Sequence, residues 1–170
     1  MANGADNATA RRVRARPGWI AAAVATIVLL DQLTKSWAVS ALADGPKKLV
    51  GDTIMFQLAR NSGSAFSRFQ GYTPILAVLA IGITIFIARA MRNATDPWIL
   101  VALVLVLGGA LGNLADRIFR SPGFLRGNVV DFVAVWRWPL FNVADSCITI
   151  GAIILVVRTL FAGQAVERAK

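Results

Sequence analysis

The chain predicts an all-α membrane protein: a bundle of four transmembrane helices with a small extracytoplasmic β-platform in its first outer loop. Three observations carry that expectation. Of the 170 residues, 56% are hydrophobic and 16% are charged, and the mean hydropathy is +0.62, far more apolar than a soluble domain of this size. Four apolar runs each approach the ~20 helical residues that cross a hydrocarbon core. The segments between them alternate between short and basic and long and mixed, the pattern of a polytopic chain with cationic inner loops.

Taken in order, residues 1–17 form a polar tail carrying Arg11, Arg12, Arg14 and Arg16. The first span, 18–37, is apolar apart from a few residues near its end, Asp31 and Lys35 above all. Its apolar stretch is followed by Asp31-Gln32-Leu33-Thr34-Lys35 rather than by a small-residue cleavage site, so it reads as a span and not as a removed leader. The first long loop, about 40–68, contains a strand over 53–58 and then a tight turn, Asn61-Ser62-Gly63-Ser64-Ala65-Phe66. With Trp37, Phe56, Phe66 and Phe69 close by, that loop is expected to rest on the bilayer surface. The second span, 69–88, carries no charge, and a basic turn over 89–97 follows. The third, 98–115, is uncharged, with Asn113 near its end and a Gly108/Gly112 pair suited to close helix packing. A second long loop, 116–139, holds Asp131 and leads into the fourth span, 140–161, interrupted by Asn142, Asp145 and Arg158. One membrane domain, 18–163, is expected between two cytoplasmic tails, 1–17 and 164–170.

The parity of the spans gathers the polar groups. Span 1 meets Asp31 and Lys35 as it ends, span 3 meets Asn113, Asp116 and Arg117 as it ends, and span 4 presents Asn142 and Asp145 as it begins. Asp131 lies in the loop between spans 3 and 4. All of them fall at one end of the bundle, whichever way it is oriented. Spacings of three and four residues put each set on one helix face, and that face should turn away from lipid. The density of Arg and Lys in the short segments puts both termini inside and the shared site outside.

Composition also excludes chemistry. The chain has no histidine and one cysteine, Cys147. Ser-His-Asp and Cys-His triads, HExxH metal sites, internal disulfides and Cys-rich metal sites are therefore excluded, and neither a metal nor a cofactor is expected. Cys147 reads as a small hydrophobe within a helix. The net charge of +9 lies in segments flanking the apolar runs, where anionic membrane lipids, not nucleic acid, are the natural partner.

The bland readings are specific. Asp31 with Lys35 reads first as an intrahelical ion pair, and Asp116 with Arg117 as a cap that ends span 3 and holds the outer loop. Asp131 taken alone is an ordinary loop carboxylate, and Asp145 can be excused as a helix cap. Trp37, Trp98, Trp136 and Trp138 read as an interfacial belt. A transport or proton-relay subunit is the rival function, but it would need polar groups through the membrane depth, and here they cluster at one end.

Five stretches nonetheless stand in one order and register: Asp31-Gln32-Leu33-Thr34-Lys35, Asn61-Ser62-Gly63-Ser64-Ala65-Phe66, Gly112-Asn113-Leu114-Ala115-Asp116-Arg117, Val129-Val130-Asp131-Phe132 and Phe141-Asn142-Val143-Ala144-Asp145-Ser146. Together they resemble the lipoprotein signal peptidases (signal peptidase II) of bacteria. The resemblance implies an aspartic endopeptidase of the cytoplasmic membrane that removes the signal peptide of a diacylglyceryl-modified prolipoprotein, on the N-terminal side of the lipidated cysteine. It makes Asp131 and Asp145 the catalytic pair and Asn61, Gly63, Asn113, Asp116, Arg117 and Asn142 substrate-binding or scaffold residues. Asp31 and Lys35 become structural supports. Its partners would be the prolipoprotein and membrane lipid, and a monomer is expected. Paired carboxylates suit this chemistry. Amide hydrolysis without a metal or a nucleophilic side chain needs a base for water and an acid for the departing nitrogen, and two close carboxyls sharing one proton supply both.

Overall fold

The computed structural model describes residues 17–63 and 73–167. The Arg-rich tail, the Ser64-Ala65-Phe66 half of the turn motif, Phe69 and the start expected for the second span lie outside the described residues, as do 168–170.

Among the described residues, four helices are long and apolar enough to cross a membrane: α1 (Pro17–Ala41), α2 (Thr73–Ala90), α3 (Pro97–Phe119) and α4 (Val143–Glu167). At 1.5 Å per residue the 25-residue α1 and α4 run roughly 37 Å, more than the ~30 Å hydrocarbon core. They overrun the apolar stretches at their ends because helix continues wherever backbone groups find partners. The third helix opens with Asp96 accepting from the amides of Trp98 and Ile99 at 2.7 and 3.2 Å, with Pro97 behind it, a start built from a cap and a first-turn proline.

The third helix is the spine. Half of its apolar stretch is buried, against 6%, 17% and 11% for α1, α2 and α4, and it packs on all three. Glycines permit the close approach. A side chain at Gly108 would meet Ile27 of α1 at 2.8 Å, and one at Gly112 would meet Asp31 of the same helix at 2.7 Å. The predicted small-residue pair therefore faces α1. Gly109 faces the other way, where a Cβ would lie 2.4 Å from the Ala144 carbonyl of α4, and Gly151 of α4 faces the Ala102 carbonyl in return. An apolar core of Leu100, Leu103, Val104 and Leu107 with Ile87 and Met91 fills the end of the bundle remote from the polar residues.

At the polar end stands a three-stranded antiparallel sheet, β1 (Lys47–Val50), β2 (Ile54–Asn61) and β3 (Val129–Val135), in that order. The sequence predicts a platform from the first loop alone, with a strand over 53–58. The sheet instead draws its third strand from the second long loop, and β2 runs on to Asn61. Asp131 is thus not an ordinary loop carboxylate: it lies on β3, opposite Ala59. Between Phe56 and Ala59 the register slips by one residue. That bulge puts Asn61 opposite Val129, on the face that carries Asp131; an unbulged strand would turn Asn61 to the other face. Trp37 locks the sheet to α1, its ring 5.2 Å from Phe56 and 6.1 Å from Phe132, over a small core of Ala38, Leu42 and Phe132.

Candidate active site

The site grows from the start of α4. Asn142 precedes the helix and its side-chain oxygen accepts from the Asp145 amide at 2.9 Å, while Asp145 Oδ2 accepts from the Asn142 amide at 3.3 Å. This is a reciprocal capping box, so Asp145 does cap the helix. Its other oxygen is committed elsewhere: Asp145 Oδ1 accepts from Asn113 Nδ2 of α3 at 2.8 Å. The Ala144 amide, another unpaired group of the first turn, donates to Asp31 Oδ1 of α1 at 2.9 Å. Three helices are thereby tied at the first turn of α4.

Asp131 is 3% exposed. One oxygen accepts from Asn61 Nδ2 at 3.0 Å and the other from Asn142 Nδ2 at 2.7 Å. Asn142 therefore holds both carboxylates at once, that of Asp131 through its side-chain amide nitrogen and that of Asp145 through its backbone N–H. Burial pushes the Asp131 carboxyl above the usual carboxylate range and the neighbouring Asp145 charge adds to the rise, while hydrogen bonds from Asn61 and Asn142 and the charge of Lys35 oppose it.

Beneath the pair lies a fully buried charge cluster. Lys35 Nζ contacts Asp31 Oδ2 at 2.8 Å, Asp116 Oδ2 at 2.9 Å and Asn113 Oδ1 at 2.9 Å, and Lys35, Asp31 and Asp116 are all 0% exposed. Arg120 meets the remaining oxygen of Asp116 at 2.6 Å, so two acids balance two bases. Asp116 also accepts from the Val130 amide at 3.1 Å. The expectation that it caps span 3 and holds the outer loop becomes concrete: it pins the strand next to Asp131. The ion pair expected for Asp31 and Lys35 exists, and the cluster extends it.

Arg117 donates to the Asn113 carbonyl at 3.4 Å and lies within electrostatic reach of Asp116, Asp131 and Asp145. Its Nε is buried with no hydrogen-bond partner among the described residues. Gly63, at φ +90°, donates its amide to Asn61 Oδ1 at 2.8 Å and lies beside Arg117. Its positive φ favours glycine, and the turn it makes holds the amide of Asn61 toward Asp131. Every residue expected in the site is thus joined to the one network. Two members escape a reading of the sequence: Arg120, and Gln32, whose Nε2 donates to Asp31, to the Gly112 carbonyl and to Asp116 at 3.1–3.2 Å. Arg120 carries a legible signal, four residues beyond Asp116 on the same face. Gln32 carries none, since its partners come mostly from another helix.

The fold and site define a polytopic membrane protein with a linked carboxylate pair, one buried and one half-buried, at one end of its bundle. The chain belongs to the signal peptidase II family, whose model, described as Signal peptidase (SPase) II, matches residues 23–161. It is 50% identical over 138 residues to the lipoprotein signal peptidase of Mycobacterium avium, covering 81% of this chain and 76% of that one. With the lipoprotein signal peptidase of Rhodococcus jostii it shares 52% over 139 residues, 81% of this chain and 70% of that one. The Mycolicibacterium smegmatis protein of the same name is 51% identical over 138 residues, 81% of this chain but 59% of its own longer length. Two solved bacterial membrane enzymes superpose with TM-scores of 0.73 and 0.74 at 27% and 28% identity, each covering 85% of this chain and 88% and 94% of theirs. The family is one of peptidases, and the four spans make this chain an integral membrane protein.

Proposed function

We propose that this chain is an aspartic endopeptidase that cleaves the signal peptide from diacylglyceryl-modified prolipoproteins, on the N-terminal side of the lipidated cysteine. The observation that carries the mechanism is the double engagement of Asn142, which joins Asp131 and Asp145 into one unit. Such a pair holds one proton between two carboxyls. The ionised member takes a proton from water as its oxygen adds to the scissile carbonyl carbon. The protonated member gives its proton to the amide nitrogen as the C–N bond breaks, and the second product leaves as a carboxylic acid. Asn61, Asn113 and Asn142 hold the carboxylates in position. Arg117 and Gly63 border the site where the substrate backbone would lie, and the cluster of Asp31, Lys35 and Asp116 supports it from below.

In this reading both termini are cytoplasmic, the site faces outward, and the substrate's acyl chains stay in the bilayer while its scissile bond meets water. The protein acts as a monomer in this reading. The test is cleavage of lipid-modified precursor by the purified protein. Asp131→Asn and Asp145→Asn should each abolish turnover while the protein still folds in detergent; turnover retained in either variant would overturn the assignment. Acyl burial contributes ~0.8 kcal/mol per CH₂, so unlipidated precursor should be cleaved weakly or not at all.

A further inference from the structure

One end of the sheet takes no part in the carboxylate site. Val50 lies opposite Ile54 and Ile54 opposite Val135, so the β1–β2 turn and the loop that follows β3 meet there. The Trp136 amide joins the two, donating to the Thr53 carbonyl at 2.6 Å. Asn61, where β2 finishes, stands at the opposite end of the sheet. Around the Val50–Val135 end, Trp136 and Trp138 are 75% and 70% exposed, and Leu49 and Val50 55% and 60%. Trp136 holds φ +47°, a left-handed conformation that a bulky residue adopts only against strain. Exposed Arg137 lays its guanidinium carbon 5.4 Å from the centre of the Trp136 ring. The acid of the turn, Asp52, is already paired with Lys48 at 2.5 Å.

The course of β3 says what surrounds this end. Near the start of the strand the Val130 amide is pinned to Asp116 of α3, over the bundle. Phe132 then meets Trp37 of α1, which continues an exposed stripe of Leu30 and Leu33 on that helix, at spacings that share one face. On a spanning helix such a stripe faces lipid, and Trp37, near the end of α1, stands at head-group level. The strand thus leaves the bundle over the lipid-facing side of α1. From Val133 to Val135 it runs another ~7 Å outward, and the exposed tryptophans come next. Tryptophan, apolar in body and polar at its N–H, suits the boundary between head groups and acyl chains, and a guanidinium suits lipid phosphate. We propose that this end of the sheet is a membrane anchor separate from the four spans. Val50, Trp136 and Trp138 enter the head-group boundary of the adjoining leaflet, Arg137 reaches lipid phosphate, and the strand that carries Asp131 is thereby held at a fixed depth. A protein partner is the other surface that could cover these side chains, but the bilayer lies beside them in any case.

The experiment measures depth directly and does not depend on catalysis. Cys147→Ala removes the native thiol, a nitroxide is attached at Val50→Cys, and the full chain is reconstituted in vesicles of phosphatidylcholine and phosphatidylglycerol. Collision with oxygen, which concentrates in lipid, is compared with collision with a water-soluble nickel chelate. Phe86→Cys on the exposed face of α2 supplies the lipid reference, and Gln57→Cys, exposed on β2, the water reference. The Val50 label should resemble the lipid reference, with an oxygen-to-nickel ratio about tenfold above that at Gln57. Trp136→Ser with Trp138→Ser should cut the ratio about fivefold, and Arg137→Gln about twofold. Arg137→Lys should keep most of it. Circular dichroism melts establish that each variant is folded. A Val50 label that behaves like the one at Gln57, or a ratio unchanged in the folded double variant, overturns the proposal. So does a label shielded from both probes, which would make a second copy of the chain the cover instead.

Discussion

Lys35 Nζ lies 2.9 Å from Asn113 Oδ1, and this contact decides which end of the Asn113 amide faces Asp145. An ammonium group only donates, so the amide oxygen must turn to Lys35 and the nitrogen is left to bond Asp145 Oδ1 at 2.8 Å. A lysine on α1 thus sets the donor that meets a carboxylate on α4. Lys35→Met should strand one buried, uncompensated charge, that of Asp31, since Arg120 still meets Asp116, at a cost of about 3–5 kcal/mol. Denaturant unfolding in detergent measures it, and a loss below about 1 kcal/mol would mean the cluster relaxes or takes up protons without Lys35.

Asn142 serves both as helix cap and as the link between the carboxylates, and two substitutions separate the roles. Asn142→Ala should lose about 1 kcal/mol of stability with the cap and about 100-fold in turnover with the geometry. Asn142→Ser keeps a capping oxygen but has no amide to reach Asp131. It should recover the melting temperature and not the turnover. If the serine variant regains both, capping alone accounts for the residue.

The pH dependence follows from Asp131, whose carboxyl is raised chiefly by burial and further by the Asp145 charge. The pair works with one proton, so turnover should fall as pH rises through the raised value and that proton is lost. Asn61 donates to Asp131 and pulls the other way; Asn61→Ala should move the alkaline limb of the pH–rate profile upward, and a downward shift would contradict the assignment. Stability has the same sign. A carboxyl whose folded value lies above its unfolded one contributes stability in full below the unfolded value and loses it as pH rises through the folded one. The pH dependence of unfolding in Asp131→Asn should be flatter than wild type across that window.

Gly109→Ala should separate α3 from α4, because the new methyl carbon would lie 2.4 Å from a backbone oxygen that cannot step aside. A destabilisation of about 1–3 kcal/mol is expected. Gly82 of α2 meets nothing within 4 Å, and Gly82→Ala should change stability by less than about 1 kcal/mol. Equal melting temperatures for the two variants would argue against tight glycine packing of α3.

The spans were legible because crossing a bilayer demands long apolar runs, and the gathering of Asp31, Lys35, Asn113, Asp116, Asn142 and Asp145 followed from parity alone. Strand β3 was not. Residues Val129–Val135 are buried nearly throughout, so they lack the polar–apolar alternation that announces a half-exposed strand, and their partner β2 comes from the other long loop, with two spans in between. The contact of Asn61 with Asp131 was hidden for the same reason, since it depends on a one-residue slip that no local pattern encodes. The bond from Ala144 to Asp31 spans 113 residues and uses a backbone amide, a group identical at almost every position.

Three of the four spans present most of their surface outward, and only α3 is half buried. Specificity in this molecule is accordingly concentrated. On α1, α2 and α4 most positions ask of a residue little more than oiliness, and many exchanges among Leu, Ile, Val and Phe should leave the fold untouched. The third helix has no such freedom: its glycines admit no larger group, and its last two turns carry the polar network. A saturation-mutagenesis map of this chain would show three permissive cylinders around one intolerant axis, with a second dark patch on the sheet that delivers Asp131.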